Sequence, residues 1–124
     1  MPPPALILVV DDSPLQRKIV CVALKGEGHS LIVAENGRQG VEMALHYHPD
    51  LILMDISMPE MDGLSAVREL RRHPEMAEVP ILAVTAVSNS DDLEEAYRAG
   101  YTDALDKSGN HAALVEKVHQ WLSR

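Results

Sequence analysis

Runs of consecutive apolar residues alternate along this chain with segments of helical periodicity. Four runs have the continuous apolar character of parallel β-strands that are covered on both faces. A fifth segment has fewer apolar residues and is more polar, as an edge strand would be. The five predicted strands span residues 5–10, 31–34, 51–54, 81–84 and 101–105.

Between these runs, apolar residues recur every three or four positions, which is typical of amphipathic helices. In the first helix this spacing predicts a shared face of Leu15, Ile19, Val22 and Ala23. Ser13 precedes this helix and Asn110 precedes the last one, and both are residue types that cap helix N-termini. The pattern therefore predicts five helices, one after each strand.

Five β–α units predict an α/β fold with a five-stranded parallel sheet and helices on both faces. Two strand orders are compatible with this pattern, the flavodoxin-like order 2-1-3-4-5 and a half-Rossmann order. In either, ligands bind beyond the carboxyl ends of the strands, where the strand order reverses. The length of 124 residues fits one domain, 1–124.

The formal net charge of −8 disfavours binding to nucleic acid or to an anionic membrane, and it favours cations and basic partners. The single cysteine, Cys21, excludes an internal disulfide and suits a reducing compartment. The longest apolar run, residues 5–10, is too short for a transmembrane helix or the core of a signal peptide. We therefore expect a cytoplasmic protein with neither a nucleic acid nor a membrane as its partner.

Polar residues follow the predicted strands at the edge where ligands would bind. Asp11 and Asp12 follow the first strand, Asp55 the third, Thr85 the fourth and Lys107 the fifth. Three carboxylates in one crevice repel one another, at roughly 3 kcal/mol for each pair about 5 Å apart at an effective dielectric constant of about 20. A divalent cation would offset this repulsion, and an all-oxygen ligand set suits Mg²⁺ or Mn²⁺.

A cation, an ammonium group and a hydroxyl are together the groups that neutralise and position a transferring phosphoryl group. Lys107 supplies the ammonium and Thr85 the hydroxyl. Asp55 is then the nucleophile, and its product would be an acyl phosphate. Each residue alone also has a structural interpretation, but clustered acids destabilise an empty site, so the combination favours phosphoryl chemistry.

The whole chain resembles the response-regulator receiver domains of two-component signalling, the CheY-like proteins. The matching motifs cover the strand ends: Asp11-Asp12, Asp55 with Met58-Pro59 and the Asp62-Gly63 turn, Thr85-Ala86, and Lys107. The resemblance implies that residues 1–124 form a single receiver domain. It also implies that Asp55 accepts a phosphoryl group from a sensor histidine kinase or a phosphotransfer protein, and that the signal passes to a downstream protein target.

The same resemblance implies roles for the other site residues. Asp12, Asp55 and the main-chain carbonyl of Ser57 would bind Mg²⁺, and Asp11 would act through a bound water. Lys107 and Thr85 would contact the phosphoryl oxygens. Such a domain is not an enzyme, apart from promoting its own aspartyl phosphorylation and dephosphorylation.

The chain departs from the family pattern at several positions. Ala104 stands where members often carry a Tyr or Phe, and strand alternation predicts that Tyr101 points to the opposite face. Ser108 replaces the proline that commonly follows the lysine, so we expect a trans peptide bond there. Ser57 and Val87 offer no carboxylate or amide to orient an attacking water, which predicts slow loss of the phosphoryl group.

Three other functions remain as alternatives. A flavin- or nucleotide-binding module would need a Gly-rich phosphate loop, and Asp11-Asp12 would repel the phosphate. A phosphatase with an Asp-x-Asp loop would need a second acid where Ser57 stands. The main alternative is a protein-binding module of the same fold that acts without phosphorylation.

Among the histidines, His29 and His119 show no partner in the sequence pattern.

Overall fold

The computed structural model describes residues 3–58, 60–86, 90–107 and 110–123. Strands and helices alternate along the chain, and a 3₁₀ turn at Pro74–Met76 precedes the fourth strand. The strands are β1 (Leu6–Val10), β2 (Ser30–Ala34), β3 (Leu51–Met54), β4 (Ile81–Thr85) and β5 (Asp103–Asp106). The helices are α1 (Pro14–Lys25), α2 (Gly37–Tyr47), α3 (Gly63–Arg71), α4 (Ser90–Ala99) and α5 (His111–Leu122).

The five strands form one parallel sheet in the order β2-β1-β3-β4-β5. The prediction of a flavodoxin-like order is confirmed, and the half-Rossmann alternative is excluded. Val10, the last residue of β1, pairs with Ala34 on one side and with Met54 on the other. The strand order reverses at β1, so the residues after β1 and β3 meet beside the reversal point.

Each face of the sheet is covered by helices, which explains the continuous apolar runs. One face packs against α2, α3 and α4, and its strand residues include Leu8, Val10, Ile52, Met54 and Ala83. The other face packs against α1 and α5, and its strand residues include Ile7, Val9, Leu53, Leu82 and Val84. Alternate residues of one strand thus enter different cores.

The buried face of α1 differs from the predicted one. Val20, Ala23 and Leu24 are buried, whereas Leu15 is 69% exposed and Val22 is 57% exposed. Apolar residues cover more than half of the circumference of this helix at 3.6 residues per turn. The spacing correctly identified four apolar residues that share a face. Three of them, Leu15, Ile19 and Val22, lie on the part of the apolar surface that is exposed to solvent.

The segment before β5 also corrects a prediction. Tyr101 lies outside the strand, which begins at Asp103, and the side chain is only 4% exposed. Tyr101 and Ala104 pack in the same core, so the predicted placement on opposite faces is wrong. Strand alternation does not extend to Tyr101, because the chain is not in strand conformation there.

Local hydrogen bonds at the helix starts match the predicted caps. The Ser13 hydroxyl accepts from the Gln16 N–H, and the Asn110 side chain accepts from the Ala113 N–H. No helix in the described part of the chain is both long enough and apolar enough to cross a membrane.

His29 and His119, for which the sequence pattern shows no partner, form a pair in the structure. The Nε2 atoms of His29 and His119 are 3.1 Å apart, and Nδ1 of His29 accepts a hydrogen bond from the Ala5 N–H. His29 is buried immediately before β2. The expectation that these histidines are unpaired is therefore wrong.

Candidate functional site

Three carboxylates meet at the carboxyl ends of β1 and β3, as the sequence predicts. One side-chain oxygen from each of Asp11, Asp12 and Asp55 lies within 4.8 Å of the other two. Asp11 and Asp55 are buried and Asp12 is exposed. The cluster therefore has a dry side, formed by the sheet, and a side open to solvent.

Lys107 joins the two buried carboxylates. Its Nζ lies 2.8 Å from Asp55 Oδ2 and 3.2 Å from Asp11 Oδ2. The backbone N–H of Lys107 donates to the main-chain carbonyl of Thr85. This bond holds Lys107 beside the end of β4. Burial lowers the pKa of Lys107, but the hydrogen bonds and charges of Asp55 and Asp11 outweigh burial and raise the pKa above its usual value. The side chain is thus a cation at neutral pH.

Asp11 shapes the turn from β1 into α1. Its Oδ1 accepts from the Ser13 N–H at 2.9 Å, and its main-chain carbonyl accepts from the Arg17 guanidinium at 2.6 Å. Burial raises the pKa of Asp11, whereas the Ser13 N–H and Lys107 lower it, and the net shift is upward. The carboxyl is held in place by local bonds rather than by solvent.

Asp55 is hydrogen-bonded at every polar group. Its N–H donates to the Val10 carbonyl at 3.0 Å, and Oδ1 accepts from the Ile56 N–H at 2.7 Å. Oδ2 accepts from Lys107, and the main-chain carbonyl accepts from the Tyr101 hydroxyl at 3.0 Å. Both the backbone and the side chain of this residue are therefore restricted to one orientation.

Tyr101 is a site residue that the sequence did not identify. Burial, followed by the charges of Asp55 and Asp62, raises the pKa of Tyr101 well above 10, so the hydroxyl remains a donor. A Cβ at Gly63 would overlap the Asp55 carbonyl and the Tyr101 hydroxyl. Gly63 thus leaves room for this hydrogen bond. The bulk of Tyr101 was a visible signal, but alternation assigned it to the wrong face.

The remaining predicted site residues lie around this cluster. Thr85 is the buried last residue of β4 and pairs with Asp106 of β5. Ser57 is exposed, two residues beyond Asp55. The predictions that concern Pro59, Val87 and the Lys107–Ser108 bond lie outside the described residues.

The charges of the cluster suit one divalent cation. The three aspartates and Lys107 leave a formal charge of −2. Carboxylate oxygens beside an open, solvated side are the donors that Mg²⁺ prefers, because Mg²⁺ keeps several waters when it binds. The residues present therefore fit a magnesium ion.

Known proteins share this arrangement of strands and helices. The family model of the response regulator receiver domain matches residues 7–119. The chain is 35% identical to PilH of Pseudomonas aeruginosa, over 96% of this chain and 98% of that protein. The receiver domain of the sensor histidine kinase PA1611 from P. aeruginosa has a TM-score of 0.91 at 33% identity, covering 98% and 99% of the two chains.

That structure has a magnesium ion coordinated in its active site cleft. The chemotaxis response regulator CheY4 of Vibrio cholerae has a TM-score of 0.91 at 29% identity, covering 95% of this chain and 98% of that one. These similarities extend over the strands that carry the acid cluster.

Proposed function

The chain belongs to the response regulator receiver domains of two-component signalling, and we propose that it accepts a phosphoryl group on Asp55. The donor is the phosphohistidine of a sensor histidine kinase or of a phosphotransfer protein. The observation that carries this proposal is a buried carboxylate at a strand end, hydrogen-bonded to Lys107 and beside two further carboxylates. We propose that residues 1–124 act as one domain.

In the proposed reaction, a carboxylate oxygen of Asp55 attacks the phosphorus atom. The new P–O bond forms as the P–N bond to the donor imidazole breaks, and the electron pair of that bond stays on the imidazole nitrogen. The product is an acyl phosphate. Lys107, which already lies 2.8 Å from Asp55, and Thr85 then contact phosphoryl oxygens and offset their charge.

Mg²⁺ is the metal that we propose for this site, held by Asp12, Asp55 and the main-chain carbonyl of Ser57, with Asp11 acting through a water. When bound, the ion neutralises charge on the carboxylates and on phosphoryl oxygens. Mn²⁺ is the alternative ion, because it shares the preference for oxygen ligands. The formal charge of −2 on the cluster supports a divalent ion of either kind.

The phosphorylated domain would pass its signal to a downstream protein by contact. Its own chemistry is limited to promoting its aspartyl phosphorylation and dephosphorylation. A cytoplasmic site of action agrees with the single, free cysteine, Cys21, which suits a reducing compartment.

Intact-mass analysis after incubation with Mg²⁺ and acetyl phosphate tests the proposal. We expect one phosphoryl adduct on the wild-type protein, and none on Asp55→Asn or when EDTA removes the metal. Asp92→Asn, which changes an exposed aspartate of α4, is the matched control and should be phosphorylated normally. An adduct that persists in Asp55→Asn, or none on the wild type with either acetyl phosphate or a phosphohistidine donor, would contradict the proposal.

A further inference from the structure

The peptide unit between Asp55 and Ile56 is hydrogen-bonded at both ends. Its carbonyl accepts from the Tyr101 hydroxyl at 3.0 Å, and its N–H donates to Asp55 Oδ1 at 2.7 Å. A peptide unit is planar and rigid, so fixing the direction of the carbonyl also fixes the direction of the N–H. The tyrosine at one end of this peptide unit thus acts on the carboxylate at the other end.

We propose that Tyr101 is a positioning residue for phosphorylation of Asp55. Its hydroxyl orients the Asp55–Ile56 peptide, and the Ile56 N–H in turn holds the carboxylate in the conformer that faces Lys107. The Tyr101 hydroxyl bonds to the main-chain carbonyl of Asp55, and no contact with the phosphodonor is required. This inference rests on the proposed function of Asp55 as the phosphoacceptor.

The hydroxyl is in place because the backbone around Tyr101 is well held. The Tyr101 N–H donates to the Ala96 carbonyl at the end of α4. On either side, Arg71 donates to the Gly100 carbonyl at 3.0 Å and to the Thr102 hydroxyl at 3.1 Å. The Thr102 N–H donates to the Ile81 carbonyl of β4 at 2.7 Å. The ring therefore enters the core from a segment tied to α3, α4 and β4.

Burial makes this hydrogen bond selective for one arrangement. Tyr101 is 4% exposed, so its hydroxyl has no ready exchange with bulk water. A buried acceptor that loses its donor is left unsatisfied, which is more costly than losing an exposed bond. Gly63 keeps the space between ring and carbonyl free of a side chain. The Asp55 carbonyl therefore has a strong preference for pointing at Tyr101.

The test is Tyr101→Phe, which removes the hydroxyl and keeps the ring. In proton–nitrogen NMR spectra of the unphosphorylated protein, we expect the Ile56 amide to shift upfield and to exchange faster with solvent. With acetyl phosphate and Mg²⁺, we expect the limiting rate of phosphorylation to fall about three- to tenfold. The donor concentration at half-saturation should not change, because Tyr101 does not touch the donor.

Tyr97→Phe is the matched control, since it removes a hydroxyl from an exposed tyrosine of α4. Tyr101→Met, which fills the space without a hydroxyl, should behave like Tyr101→Phe and guards against poor folding of one variant. Unchanged Ile56 amide signals and rates in both variants would overturn the inference. So would a general loosening of the β3 amides instead of a change centred on Ile56.

The two proposals fail in different ways. If the wild-type protein takes no phosphoryl group, the proposed function fails. The Ile56 amide then decides by itself whether the Tyr101 hydroxyl orients the Asp55–Ile56 peptide. If the wild type is phosphorylated and Tyr101→Phe matches it in rate and spectrum, only the inference about Tyr101 fails.

Discussion

Lys107 and Asp55, separated by 52 positions in the chain, form an ion pair of 2.8 Å at the edge of the sheet. The same ammonium lies 3.2 Å from Asp11, so a single lysine offsets the charge of two buried carboxylates. A metal ion bound by these aspartates would compete with Lys107 for their oxygens.

Lys107→Met should therefore weaken the fold and strengthen metal binding. Without metal, we expect the free energy of unfolding to fall by about 2–4 kcal/mol, because two carboxylates lose their cation. Saturating Mg²⁺ should recover much of that loss, and the Mg²⁺ dissociation constant should decrease. Urea denaturation with and without Mg²⁺ measures both effects.

Lys18→Met, at an exposed position of α1, is the control for loss of a lysine and should change neither quantity appreciably. A variant at Lys107 that is as stable as the wild type without metal would show that the ion pair does not offset the buried charge.

Removal of the exposed acid of the cluster should have the opposite effect on stability. Asp12→Ala eliminates one of three neighbouring negative charges, so we expect the metal-free protein to gain about 1 kcal/mol. The stabilisation that the wild type gains from Mg²⁺ should largely disappear, because a ligand stabilises the fold appreciably only when its concentration exceeds its dissociation constant. Thermal unfolding across a Mg²⁺ titration checks both results, with Asp92→Ala as the control.

Gly63 is a position where a methyl group should be poorly tolerated. Gly63→Ala places Cβ against the Asp55 carbonyl and the Tyr101 hydroxyl, so we expect a loss of about 1–3 kcal/mol and slower phosphorylation. Gly26→Ala is the matched control, because a Cβ there meets its neighbours at ordinary distances of 3.5 and 3.6 Å. Equal stability of the two variants would argue against the close approach at Gly63.

The surroundings of Asp103 should make the stability of the fold depend on pH. This effect is separate from the phosphoacceptor site. Burial raises the pKa of Asp103, but hydrogen bonds from Trp121, the Ala104 N–H and Lys117 outweigh burial and lower the pKa below 3.8. A depressed pKa in the folded state contributes stability above pH 3.8, and this contribution is lost as the pH falls through the folded value.

The stability difference between wild type and Asp103→Asn should therefore be full near neutral pH and should shrink below about pH 3.8. Trp121 is the single tryptophan of the chain and donates to Asp103 at 2.9 Å, so its fluorescence reports on this contact. A difference that stays constant down to the acid transition would mean that the Asp103 charge has no role in stability.

Loss of the phosphoryl group should be slow. Ser57 is exposed beside Asp55 and has no amide or carboxylate to orient a water, as the departure from the family pattern indicates. We expect the acyl phosphate to last minutes or longer, and Ser57→Asn to shorten its lifetime several-fold. Timed intact-mass measurements after removal of the donor distinguish this outcome from a lifetime of seconds.

The sequence predicted the sheet and the acid cluster for a physical reason. Parallel strands bury both faces, so their apolar runs are unbroken, and their carboxyl ends meet at one edge. The sequence alone was therefore enough to predict that Asp11, Asp12 and Asp55 lie close together.

Tyr101 and the buried side of α1 could not be predicted in the same way. Alternation fails at Tyr101 because β5 begins two residues later. The apolar arc of α1 is wider than its contact with the sheet, so spacing alone does not distinguish its buried half from its exposed half. Both features depend on how neighbouring helices and strands pack. The spacing of apolar residues within one segment does not contain that information.

The complete hydrogen bonding of Asp55 has a consequence for the temperature dependence of its phosphorylation. A side chain that folding has already confined to one conformer loses little further conformational entropy when it attacks a donor. The barrier on the protein side then lies mainly in enthalpy, from the exchange of the Lys107 contact for contacts with phosphate. Variants that loosen Asp55 should shift part of that barrier into the activation entropy, which an Eyring analysis of the wild type and Tyr101→Phe would reveal.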